Sequence, residues 1–220
     1  MISVLTPTTR GKEGLRLVEK ALRRQTFQDY EWVIVEPKEK PEGLYWTLYR
    51  DYNRGIKKCK GDLIVSWQDC TFSDPDTLEK FYFHYQSEPK TVVTAIGNKY
   101  KDDTFMAQTW QDPRERKDQG SFYSCYPNDI ELNLASFPKK AFYDVGGFDE
   151  ELDKYSSLCG LDVLTRLAII GGYDFKIDQT IRSYSTEHGR LENWEENLPF
   201  GEPWESKIKE YNNNPVLNYL

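Results

Sequence analysis

The stretch GDLIVSWQDCTFSDPDTL, residues 61–78, decides how the rest of the chain is read. Leu63, Ile64 and Val65 form a short apolar run that breaks into Trp67, Gln68, Asp69, Cys70 and Thr71 and restarts as a helix after Asp74 and Pro75. A central parallel strand is covered on both faces and cannot alternate, so a run of this kind between polar breakers predicts a buried strand. In open α/β sheets ligands bind beyond the carboxyl ends of the strands, which puts Asp69 where a metal or substrate could be met. An acid in that place can equally do no more than cap a turn, and its neighbours must decide.

Upstream, residues 2–5 read as a strand, followed by a loop of hydroxyls and punctuators, Thr6, Pro7, Thr8, Thr9, Arg10 and Gly11. Leu15, Val18, Ala21 and Leu22 then recur at helical spacing. Residues 32–35 are a second strand, stopped by Glu36 and Pro37, and Leu44, Leu48, Tyr52 and Ile56 predict a helix over 44–58 with Gly61 just past its end. Downstream come a helix over 78–85, a strand over 91–96, and an aperiodic segment, 98–128, whose aromatic residues predict a lid. Val163, Leu164, Leu167, Ala168 and Ile170 mark a helix ended by Gly171 and Gly172, with a strand over 173–177 and a weak helix over 204–211. Strands alternating with helices predict an α/β fold with parallel strands and right-handed crossovers.

With 220 residues the chain is long enough to bury a sizeable core. Aromatic residues make up 15% of it, which argues against disorder and for surfaces that stack on rings or sugars. A net charge of −7 repels polyanions and argues against a general nucleic-acid binder. Cys59, Cys70, Cys125 and Cys159 show neither metal-ligand spacing nor a disulfide pattern, as expected in a reducing compartment. No apolar run approaches the roughly 20 residues that span a bilayer, and the amino terminus lacks the pattern of a secretory signal. The expectation is a cytoplasmic protein with no transmembrane segment.

Four segments carry a further pattern: ISVLTPTTR, RRQTFQDYEWVIVE, YNRGIKKCKGDLIVSWQDCTFSDPDTL and VGGFDEELDKYSSLCGLDVLTRLAIIGGY. In this order they resemble the nucleotide-sugar glycosyltransferases with the GT-A fold, in particular the inverting family 2 type. The resemblance covers residues 2–178 in outline and is loose over 98–128. It implies a Rossmann-like, mostly parallel central sheet flanked by helices, with a small antiparallel part on the acceptor side. It also implies a domain over 1–190, divided into a nucleotide-binding half, 1–97, and an acceptor-side half, 98–190, with a tail over 191–220 packing on it.

Carried onto this sequence, the resemblance places Thr6, Pro7, Thr8 and Arg10 along the nucleotide and Glu36 at the base or ribose. Asn53 belongs to the nucleotide-side helix and Gln68 to the strand tip. Asp69 becomes the ligand of a divalent cation, Mn²⁺ or Mg²⁺, with His188 as a further ligand, and Asp162 the base that deprotonates the acceptor. Several positions depart from the family pattern. Tyr52 stands where Arg is common, Gln68 and Cys70 flank Asp69 where acids are usual, and Leu161 replaces a frequent Glu. The implied activity is a metal-dependent, inverting transfer of a hexose from a nucleoside diphosphate donor, a UDP-sugar, to a hydroxyl. The acceptor stays open among a glycan, a lipid-linked precursor, a protein and a modified base. Two rivals stand beside it. A nucleotidyltransferase would carry a Gly-rich basic loop, whereas LTPTTRGKEG has one Arg and one Lys, and a non-catalytic nucleotide- or sugar-binding module would fit the thinned acidic motif.

Overall fold

Strand β3, Leu63–Trp67, lies near the middle of a mixed sheet and is buried along its whole length. The computed structural model describes residues 1–116, 118–155, 160–186 and 201–220. The other strands among them are β1 (Ile2–Pro7), β2 (Tyr30–Val35), β4 (Thr71–Ser73), β5 (Thr91–Tyr100), β6 (Gln108–Trp110), β7 (Phe122–Ser124), β8 (Leu134–Pro138) and β9 (Asp174–Thr186). Their order across the sheet is β2-β1-β3-β8-β5-β9-β4, with β6 added to β5 and β7 to β9. β2, β1, β3, β5 and β9 all run one way; β8, wedged between β3 and β5, and the short β4, β6 and β7 run against them.

Six α-helices accompany the described strands: α1 (Gly11–Leu22), α2 (Leu48–Ile56), α3 (Thr77–Ser87), α4 (Lys139–Asp144), α5 (Leu161–Ile170) and α6 (Glu202–Asn213). The two-residue period of a strand sends alternate side chains to opposite faces, and β3 divides its apolar run accordingly. Leu63, Val65 and Trp67 join Leu17, Val18 and Ala21 of α1 and Leu78 and Phe81 of α3. Ile64 joins Tyr49, Tyr52 and Ile56 of α2, Phe142 of α4 and Leu164 and Leu167 of α5. Two cores therefore sandwich the sheet. Trp67 is sealed in the first, where its indole N–H donates to the Thr71 carbonyl.

The structure corrects several expected elements. α2 begins at Leu48 rather than 44, because the backbone N–H groups of Tyr49 and Arg50 are received by the Asp153 carboxylate, a tertiary cap invisible to local pattern. β9 runs on to Thr186, and β4 and β8 were not expected at all. The aperiodic 98–128 segment holds β6 and β7. No described helix is long and apolar enough to cross a membrane. Cys59, Cys70 and Cys125 are free thiols, and Cys159 lies outside the described residues.

Candidate functional site

At the carboxyl end of β3 the chain passes through Gln68 and Asp69 and turns at Cys70, whose φ of 57° is left-handed. That conformation costs a residue with a Cβ roughly 1–2 kcal/mol. The turn is held by a hydrogen bond from the Cys70 N–H to the Gly14 carbonyl of α1, 2.8 Å, and by the Thr186 N–H donating to the Cys70 carbonyl, 3.2 Å. α1 lies so close that a Cβ on Gly14 would stand 2.8 Å from Asp69 Oδ2. The helix thus needs glycine there to let Asp69 fit beneath its first turn.

Asp69 is nearly buried and both its oxygens are engaged. Thr8 Oγ1 donates to Oδ2 at 2.7 Å and Arg10 Nη1 to Oδ1 at 2.9 Å. The loop after β1 and the tip of β3, 59 residues apart, meet here because β1 and β3 are adjacent parallel strands whose carboxyl ends lie side by side. The Arg10 N–H also donates to Thr8 Oγ1, and the Thr8 N–H donates to the Val35 carbonyl at the end of β2. α1 starts at this point with no side chain capping its amino end, so its first N–H groups and the positive end of its dipole accompany the Arg10 charge.

Of the expected nucleotide-site residues, Thr8, Arg10 and Asp69 come together. Glu36 is exposed just past β2, where its carbonyl accepts from the Arg54 guanidinium. Pro7 is buried at the end of β1, and the Thr6 side chain turns inward to accept from the Trp32 indole at 3.0 Å. Gln68 is half-buried, and its N–H donates to the Asn133 carbonyl at 3.0 Å. Asn53 requires correction. It is buried on α2 and clamps the Gly146–Gly147–Phe148 turn, donating to the Phe148 carbonyl at 3.0 Å and accepting from the Phe148 N–H at 2.7 Å. Its amide has no part left for a nucleotide.

Asp162 also departs from expectation. Its side chain is 0% exposed, beside an equally sealed Arg166 one helical turn on, with Nη2 to Oδ2 at 2.8 Å. The same oxygen accepts the Asp149 N–H, and Arg166 reaches the Val145 and Gly147 carbonyls. Burial pushes the Asp162 carboxyl up against the opposing pull of Arg166. A carboxylate enclosed in this way pins α5 to the glycine turn through Oδ2, while its buried Oδ1 has no hydrogen-bond partner. The carboxy-terminal segment closes the other side: Tyr211 donates to Asp149 at 2.8 Å, Lys207 pairs with Asp149 at 2.9 Å, and Leu217 lies where a Cβ on Gly146, φ 70°, would collide with its carbonyl.

Two polar residues next to Gln68 were not anticipated. Ile130, Leu132 and Leu134 point into the core, and Glu131 and Asn133, between them, do not. That alternation was present in DIELNLAS as a period-two signal. Asn133 Nδ2 donates to Glu131 Oε2 at 3.2 Å, and Arg114 stands 3.5 Å from the same oxygen. Arg114 is itself held by Asp112 and by the Asp129 and Ala95 carbonyls.

A divalent cation was expected at Asp69 and His188. His188 lies outside the described residues, and among the described residues no three His, Cys, Asp or Glu side chains cluster to cage an ion. Asp69 fits such an ion as a single hard-oxygen ligand, with the remaining oxygens left to a diphosphate and water. The Arg10 guanidinium that would have to yield is partly exposed, so water can receive it when it leaves Asp69.

No protein-family model matches the sequence, and no curated protein matches it either. Solved structures do. S. aureus TarS 1-349 in complex with UDP-GlcNAc superposes with a TM-score of 0.70 at 12% identity, over 98% of this chain and 67% of that one. The same TarS segment with UDP gives 0.68 at 13% identity, over 98% and 66%. GalNAc-T7 with UDP, GalNAc and Mn²⁺ gives 0.69 at 13% identity, over 96% and 48%. The chain therefore spans about two thirds or less of these relatives' lengths, and at such identity the likeness establishes the fold. That fold is the α/β, GT-A type expected from the sequence, a central mostly parallel sheet flanked by helices with some antiparallel strands.

Proposed function

We propose that this chain is a nucleotide-sugar glycosyltransferase that moves a hexose from a UDP-sugar to a hydroxyl acceptor with inversion at the anomeric carbon. The observation that carries this is the meeting of Thr8, Arg10 and Asp69 at the carboxyl ends of β1 and β3, beside the uncapped start of α1. It stands in a fold shared with chains crystallised with UDP and UDP-GlcNAc. Arg10 and the first amides of α1 offer positive charge to a diphosphate, and Asp69 offers the carboxylate for a divalent cation. When bound, that cation offsets the charge that gathers on the leaving diphosphate. Glu36, exposed just past β2, would be the acid that reads the ribose or base.

Calorimetric titration with UDP and with UDP-GlcNAc, in Mn²⁺ or Mg²⁺ and again in EDTA, tests the proposal. Binding that weakens in EDTA and in Arg10→Ala supports it, and no binding of either nucleotide under any condition removes it. Pyrophosphate among the products would instead favour a nucleotidyltransferase. The sealed state of Asp162 favours a second reading, a nucleotide-sugar binding module without turnover, because α5 then brings no base to the acceptor. Release of UDP from a UDP-sugar decides between the two.

A further inference from the structure

We infer that Glu131, at the entry to β8, is the group that takes the proton from the acceptor hydroxyl; the inference rests on the glycosyltransferase proposal. Its position comes first. β8 pairs with β3 so that Leu134 faces Trp67, and the chain just before β8 continues alongside the tip of β3, where the Gln68 N–H donates to the Asn133 carbonyl at 3.0 Å. Glu131 is two residues before Asn133 in the same alternation of half-buried and buried positions, alongside the carboxyl end of β3 from which the chain leads on to Asp69. Its backbone is fixed there by Thr94 of β5, whose hydroxyl bonds both the Glu131 N–H and its carbonyl at 3.3 Å.

The carboxylate is also prepared for the task. Its side chain keeps 40% exposure, in contrast to the sealed Asp162. Oε2 is held by Asn133 and lies 3.5 Å from Arg114, while Oε1 has no hydrogen-bond donor among the described residues. One oxygen is therefore anchored and the other is free to accept. Burial of the rest of the group, with Asp112 close by, pushes its pKa up against the pull of Arg114, toward the range where a carboxylate works best as a base. The step balances without any further reagent. The acceptor O–H gives its proton to Oε1 as its oxygen forms the bond to the anomeric carbon, and the bond from that carbon to the diphosphate breaks with its electron pair leaving on UDP.

Wild type, Glu131→Gln and Glu131→Asp are compared for UDP binding by calorimetry and for UDP release from a panel of UDP-hexoses that includes UDP-GlcNAc, with water as the acceptor. Glu131→Gln is expected to bind UDP within about twofold of wild type, to melt as wild type does, and to release UDP at least ~100-fold more slowly. The wild-type rate should rise with pH to a plateau as the carboxyl ionises, and the Gln variant should lose that rise. Glu131→Asp, which keeps the carboxylate on a shorter arm, should recover part of the rate. UDP release by the Gln variant within about threefold of wild type, with the same pH profile, overturns the assignment and leaves the transferase proposal intact. A wild type that binds UDP but releases none from any donor of the panel overturns both in favour of a binding module, and one that binds no UDP removes the site itself.

Discussion

Two carboxylate–guanidinium pairs of nearly equal length anchor this molecule, and their surroundings give them opposite uses. Asp69–Arg10 spans 2.9 Å at the tip of β3 with the guanidinium 36% exposed, whereas Asp162–Arg166 spans 2.8 Å with both side chains at 0%. Where the guanidinium reaches water it can swing away without being stranded in the interior, so a diphosphate or a cation can take its place beside the nearly buried Asp69. In a sealed pair, loss of either partner strands a charge in the interior at roughly 3–5 kcal/mol. Proximity of an acid and a base therefore does not define a site; the cost of separating them does.

The most severe test of this contrast is Asp162→Asn. It should lower the unfolding free energy by about 3–5 kcal/mol in urea melts, while the folded fraction binds UDP normally. Near-normal stability with lost turnover would restore Asp162 to the acceptor site. Asp69→Ala should do the reverse, with UDP release falling at least ~100-fold, about 2.7 kcal/mol of barrier, and a comparatively small loss of stability.

Asp153 extends the comparison to pH. Burial pushes its carboxyl up to about 7 even though it receives two amides of α2 and lies 3.3 Å from the Arg50 guanidinium. The folded value thus exceeds the unfolded one, and the folded state prefers the proton. The contribution to stability is whole below about pH 4 and is lost as pH rises through 7. Denaturant melts from pH 4 to 8 should show a decline on the order of 4 kcal/mol from this group, absent in Asp153→Asn. The smallest effect is expected from Tyr211→Phe, which removes the hydrogen bond to Asp149 and should cost about 1 kcal/mol in the same melts with no change in UDP affinity.

How far the sequence could be read follows from range. β1, β2, β3 and β5 were legible because an apolar run announces a covered strand whatever lies across the sheet. β8 was missed although LASFP is buried throughout, since it runs antiparallel among strands expected to be parallel and its only signal was the alternation leading into it. The start of α2 was misplaced for a related reason: its cap, Asp153, is 104 residues from the amide of Tyr49.

By itself the sequence determined the α/β class, the order of most strands and helices along the chain, and the position of the Thr6–Gly11 loop and of Asp69 at strand ends. Each of these depends on local hydrophobic period or on the direction of parallel strands. Only the tertiary structure decided which acids are open. It sealed Asp162 against Arg166, spent Asn53 on the Phe148 turn, and left Glu131 with one oxygen uncommitted. Burial is a property of everything packed around a side chain, and a carboxylate in a row of letters carries no record of whether water or a guanidinium will face it.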